Sequence, residues 1–220
     1  METVDQARET ILKELTSDDT EVRDAYLKHF SKDVEQFSKA MAEAFVNWRG
    51  LDSGAKDNEK LAYVSALVFN AITLHILSMR LFISGHSVAA GNLFRQVLET
   101  VALALLCSSK ELSILQRFID EKYSTNDAIR DVNRQTDHLG VNKDAVDVLK
   151  EAHAVYHAYS HPSHLTIAAS MSFSKEGLYV GAAFDEGKLE SYTNEVKSRV
   201  GLAVVFSSFV DGVKVNIAKW

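Results

Sequence analysis

The sequence predicts an all-α protein, a compact bundle of six to eight helices forming one domain over residues 1–220. Three observations predict it. Apolar residues recur at steps of three and four through most of the chain, as they do in helices with one buried face. A single proline leaves those runs uninterrupted. Hydrophobic residues make up 46% of the 220 positions, enough material for a sizeable core.

Val4, Ala7, Ile11, Leu12 and Leu15 form a short stripe that stops near Ser17, a candidate N-terminal arm over residues 1–16. Asp18, Asp19 and Thr20 offer caps for a long second helix. Val22, Tyr26, Phe30, Val34, Phe37, Met41, Ala44, Phe45 and Trp48 keep its rhythm, against a face of mixed charge. It reads as an outer helix, with dimerisation as a second use. Arg49 to Gly54, with two glycines, reads as a loop. Asp57 or Asn58 then caps the first of two strongly apolar helices, Leu61 to Ile83 and His86 to about Ser108, joined at Ser84-Gly85. This pair is the centre around which the other helices are expected to pack.

Leu61 through Met79 carries no formal charge, close to the roughly 20 apolar residues that span a bilayer. Against a span stand Asn70 and His75 within it and the absence of aromatic and basic flanks on both sides. The opening METVDQARET is acidic and polar, unlike a signal or transit segment. The expectation is therefore a cytoplasmic chain without membrane contact.

Beyond the pair, Leu112, Leu115, Phe118 and Ile119 predict a helix ending near Tyr123. A peripheral helix with a thin apolar stripe follows from Asn126 to Gly140. Asn142 caps the next, which Pro162 ends. LTIAASMSFS and LYVGAAFD, on either side of Lys175-Glu176-Gly177, read as two short strands, a candidate hairpin over 170–185. From Leu189 the three-four rhythm resumes almost to Trp220 and closes the bundle.

Net charge is −6, which argues against broad nonspecific binding to nucleic acid and leaves room for a small basic cleft. The single cysteine, Cys107, sits in an apolar run and reads as core; nothing asks for an oxidising compartment. No cofactor is specified by the sequence.

Chemistry concentrates in two places. Arg95 and Glu99 stand four apart in an apolar helix, close enough to pair, with Asn92 and Gln96 on the same side to extend a polar network. His153, His157 and His161 form one ridge at successive four-residue steps, and His164 follows the helix end. Imidazoles one turn apart can share a metal, here with Asp147, Glu151 or Glu99 as candidate carboxylates, although no HExxH or CxxC motif is present. The same stretch also suits acid–base work. Arg95 beside a phosphate, with His161, Tyr156 and Ser160, could cleave RNA without metal. The candidate catalytic set is thus Arg95, Glu99, Tyr156, Ser160 and His161, and the candidate metal set is His153, His157, His161 and His164. Either set could equally be a structural network holding two helices together.

LFRQVLET (Leu93 to Thr100) together with YHAYSHPSH (Tyr156 to His164) resembles a bacterial and phage-associated group of helical domains, distantly similar to the HEPN helical bundles. The likeness covers roughly Leu61 to Ser172. It implies a helical bundle that binds nucleotides or RNA, often as a metal-independent ribonuclease with a histidine four to six residues after an arginine. In this chain Arg134 and His138 come near that spacing, while Glu99 stands where a histidine would follow Arg95. The expectation is a homodimeric interaction or nucleotide-binding protein with RNA or a nucleotide as ligand; ribonuclease activity and metal binding are the alternatives.

Overall fold

Four long helices surround the core of the computed structural model, which describes residues 3–220. They are α2 (Thr20–Asp52), α3 (Glu59–Ile83), α4 (Ser87–Ser108) and α10 (Leu189–Ile217). α3 lies along α4 and α10 along α2, while α2 touches α3 and α10 touches α4, which closes a ring of four. The core fills that ring with Tyr26, Phe82, Phe94, Leu98, Leu106 and Phe206, all at most 2% exposed. α1 (Val4–Thr16) buries no residue; Glu14 ties it to the bundle by accepting the Ala182 N–H at 2.8 Å. The first two residues of the expected arm lie outside the described part of the chain.

The shorter elements cover α4 directly or, for the Thr136–Leu139 turn, pack on α6. These are α5 (Ile114–Ile119), α6 (Ala128–Arg134), α7 (Thr136–Leu139), α8 (Lys143–His157) and α9 (His164–Ser170). The described residues therefore hold ten α-helices rather than six to eight. Much of the difference lies at Asn126 to Gly140, where the expected single helix breaks at Gln135 into α6 and α7. It is also less peripheral than its thin stripe implies, because Ala128, Ile129 and Val132 are buried where α6 packs against α4 and α8.

No strand forms among the described residues over 170–185, and the expected hairpin reduces to one isolated bridge between Met171 and Leu178. The first half of that apolar run is α9 instead. Ser163 and Thr166 form a reciprocal capping box immediately after Pro162, and it starts a helix where the apolar run suggested a strand. α2 likewise runs through the expected loop at Gly50. Leu51 buries itself in the core, and Asp52 accepts the Ser65 hydroxyl at 2.7 Å, so the last turn has partners to fold against. Asn58 caps α3 by accepting the Leu61 N–H. Gly85 makes the α3–α4 turn at φ +85°, where an added Cβ would lie 2.6 Å from the Ala183 nitrogen.

The expectations of no membrane contact and of a cytoplasmic location are overturned. Three helices, Glu59–Ile83, Ser87–Ser108 and Glu186–Ile217, are long and apolar enough to cross a membrane by length and composition. The first of these holds Asn70 and His75, the polar residues that stand against a span in the sequence. His75 is fully buried, yet its Nε2–H donates to the Arg199 carbonyl at 3.0 Å. A polar group satisfied by a neighbouring helix is not the obstacle that a bare one is.

Candidate functional site

α8 runs antiparallel to α4, so residues early on one helix meet residues late on the other. Asn92, Arg95 and Glu99 recur every three or four positions on one side of α4, and against them α8 and its 3₁₀ extension, Ala158–Ser160, set Ser160 and His153. Arg95 Nη1 donates to Ser160 Oγ at 2.7 Å, and Ser160 Oγ donates onward to Asn92 Oδ1 at 2.9 Å. Arg95 Nε lies 3.2 Å from Glu99 Oε1, an ion pair without hydrogen-bond alignment. The same carboxylate oxygen stands 2.9 Å from His153 Nε2. Side-chain exposures of 18% for Arg95, 13% for Glu99 and 20% for His153 put the cluster at the water boundary rather than inside the core.

Of the candidate catalytic set, Arg95, Glu99 and Ser160 meet in this cluster, and Asn92 extends it as expected. Tyr156 and His161 do not join its hydrogen bonds. Tyr156, one turn from both His153 and Ser160, is turned into the core, where its hydroxyl donates to Glu195 Oε2 at 3.0 Å and its ring meets Phe94 edge to face. His161 is exposed and packs against His157 with ring centroids 4.9 Å apart. His157 and His164 are exposed as well, and His153 turns to Glu99. Among the described residues no three His, Cys, Asp or Glu side chains gather as a metal would need. Arg134 and His138 take separate neighbours, Asp131 and Glu111.

A second network, absent from the sequence reading, lies behind Tyr156. Arg199 on α10 is 0% exposed. Its Nη1 donates to the Glu195 carboxylate at 2.6 Å, and its Nε to Ser78 Oγ at 3.1 Å. The guanidinium carbon sits 4.8 Å from the Phe82 ring centroid and 5.1 Å from that of Phe94, so aromatic faces supply attraction as well as cover. Glu195 also receives the Tyr159 hydroxyl at 2.9 Å. Gly91 on α4 lets that tyrosine close in, since a Cβ there would sit 2.5 Å from the ring. Burial pushes Tyr156 up to about 12; Arg199 pulls it down and Glu195 adds to the rise. Tyr159 is raised too, by burial and then by the Glu195 charge. Both therefore remain donors at neutral pH. The signal for this network was present in the spacing: Glu195 and Arg199 are four apart, and Arg199 falls in step with Tyr192, Val196, Ala203 and Phe206 on the buried face of α10.

The two networks offer different chemistry. At the outer one, a guanidinium can meet an anionic ligand while a carboxylate orients an adjacent imidazole; at the inner one, the guanidinium is sealed in the core, with Nη2 left without a hydrogen-bond partner, and only Glu195, 14% exposed, reaches toward water. Comparison with protein families, with curated proteins and with solved structures finds no match to this chain.

Proposed function

We propose that this protein is a HEPN-like helical bundle that binds RNA or a nucleotide through its phosphate at the Arg95 cluster. The observation carrying this reading is Arg95 itself, an arginine set in an apolar helix yet 18% exposed, with its guanidinium held by Ser160 and Glu99. Arginine's fork of donors suits phosphate oxygens. A pre-positioned fork loses less entropy on binding than a free one.

Cleavage is the second reading, favoured by the His153–Glu99 contact of 2.9 Å. A carboxylate on one imidazole nitrogen fixes ring orientation and tautomer, leaving the other nitrogen to exchange a proton with a ribose hydroxyl. His153 thus fits a general base better than the exposed His161 does.

The experiment is titration of a fluorescent single-stranded RNA and of ATP with the wild-type, Arg95→Ala and Arg95→Lys proteins, followed by a cleavage assay with and without chelator. Binding should fall at least about tenfold in Arg95→Ala, the loss of roughly one charge-assisted contact. A folded Arg95→Ala protein that binds both ligands as the wild type does overturns the proposal. Chelator-resistant cleavage that survives His161→Ala and disappears in His153→Ala establishes the second reading.

A further inference from the structure

α3 carries a stripe that is largely uncovered among the described residues, with Trp48 of α2 against Phe69 as a contact at its edge. Tyr63, Ala66, Phe69, Thr73 and Ile76 recur every three or four residues along its outer side, with Leu77 beside them, and Tyr63, Phe69, Ile76 and Leu77 are 36–46% exposed. The opposite side of the helix packs against α4 and α2. An exposed apolar stripe of this length marks an interaction surface.

The ends of the stripe identify its occupant. Glu59 stands at its beginning and Arg80 at its end, both exposed and neither in an ion pair among the described residues. Lys60, the other charge in the first turn of α3, is turned away from the stripe by the 100° step per residue. Between the two ends the stripe is uncharged. Laid antiparallel on itself about a point between Phe69 and Asn70, it matches Glu59 to Arg80, Tyr63 to Ile76 and Ala66 to Thr73. The ion pair occurs twice by symmetry, the helix dipoles oppose, and the small Ala66–Thr73 pairs near the middle let the two helices approach closely. A parallel pairing would put like charges together at both ends. Lipid would also cover the apolar side chains, and the vesicle arm of the test separates that occupant from a second copy.

We infer that α3 of one copy packs antiparallel on α3 of a second copy, giving an isologous homodimer with two symmetric Glu59–Arg80 pairs. The surface is independent of the Arg95 cluster, so this inference stands or falls apart from the proposed function.

The test is sedimentation of the full chain over a range of concentrations, with circular dichroism to verify folding and flotation on phosphatidylcholine–phosphatidylglycerol vesicles as a parallel arm. The wild type is expected to dimerise. Glu59→Arg and Arg80→Glu should each weaken association at least about fivefold, since two attractive contacts become repulsive, and the double charge swap should restore it. Ala66→Glu should leave a folded monomer. A monomeric wild type, whether it remains free or floats with vesicles, overturns the inference. So does a dimer indifferent to the single substitutions, or one that the double swap fails to restore.

Discussion

The Arg95 and Arg199 networks use the same parts and reach opposite ends. Each pairs an arginine with a glutamate one turn away on a long apolar helix, and each draws in hydroxyls from the α8 region. Arg199 is sealed among Phe82, Phe94 and Tyr156, whereas the Arg95 side chain stays 18% exposed, with Nε buried. One turn of α8 separates them, with Tyr156 facing inward and Ser160 facing Arg95. The lesson is that a charged pair in an apolar helix does not announce its role. How completely the surrounding side chains cover it decides between holding the fold together and meeting a ligand.

The sealed network should show the largest effect. Arg199→Ala leaves the Glu195 carboxylate in a mostly dry site with only tyrosine donors. Breaking one side of such a pair costs about 3–5 kcal/mol, to be read as a shift in urea midpoint. Replacing both partners, as Glu195→Gln with Arg199→Met, should cost less than Arg199→Ala alone, because no uncompensated charge remains. If the double variant is the less stable, the difference drawn between the two networks is wrong.

Alkaline pH should separate the networks next. Tyr156 has a folded value of about 12 against about 10 when unfolded. Its neutral form is therefore favoured by folding; the contribution is complete below pH 10 and declines as pH rises from there toward 12. Tyr159 has the same sign. Thermal melting between pH 8 and 11.5 should show the wild type losing stability faster than Tyr156→Phe/Tyr159→Phe does, and equal slopes would remove the two tyrosines from the cause. The Arg95 cluster contains no tyrosine and should not contribute to the slope.

Arg95→Ala should be milder in stability and severe in binding. A pair at the water boundary contributes up to about 1 kcal/mol, so the urea midpoint should move little while RNA or nucleotide affinity falls. A loss of stability comparable with that of Arg199→Ala would make the outer cluster structural too.

Much of this arrangement is legible in the sequence, and the misses have physical causes. The apolar rhythm places α2, α3, α4 and α10, and the caps at Asn58 and Asn142 mark two helix starts. Arg95 and Glu99 stand out because charges interrupt an apolar run. Glu195 and Arg199 have the same spacing, but α10 also carries Lys197, Ser198 and Asn194 nearby, so no interruption draws the eye. The 170–185 segment was misread because periodicity over a few residues cannot tell a strand from a capped helical turn. The membrane expectation fails for a related reason: the sequence displays His75 as a bare polar group and hides its partner, the Arg199 carbonyl on α10.

The smallest expected effect concerns the histidine ridge, whose four-residue spacing shows that His153, His157 and His161 share one edge of α8 but not which of them faces α4. The antiparallel offset decides it. With Ser160 opposite Arg95 and Asn92, the position seven residues earlier falls opposite Glu99, and that position is His153. His161 lies past the end of the helix, with its side chain in water. His161→Ala should therefore change stability by no more than about 0.5 kcal/mol, the usual range for an exposed site, and leave ligand affinity intact. His153→Ala removes the partner of Glu99 and should alter binding at the Arg95 cluster, because the freed carboxylate can then draw the guanidinium away from Ser160. A titration in which His161→Ala binds less tightly than His153→Ala would move the working edge of the site from the body of α8 to its end.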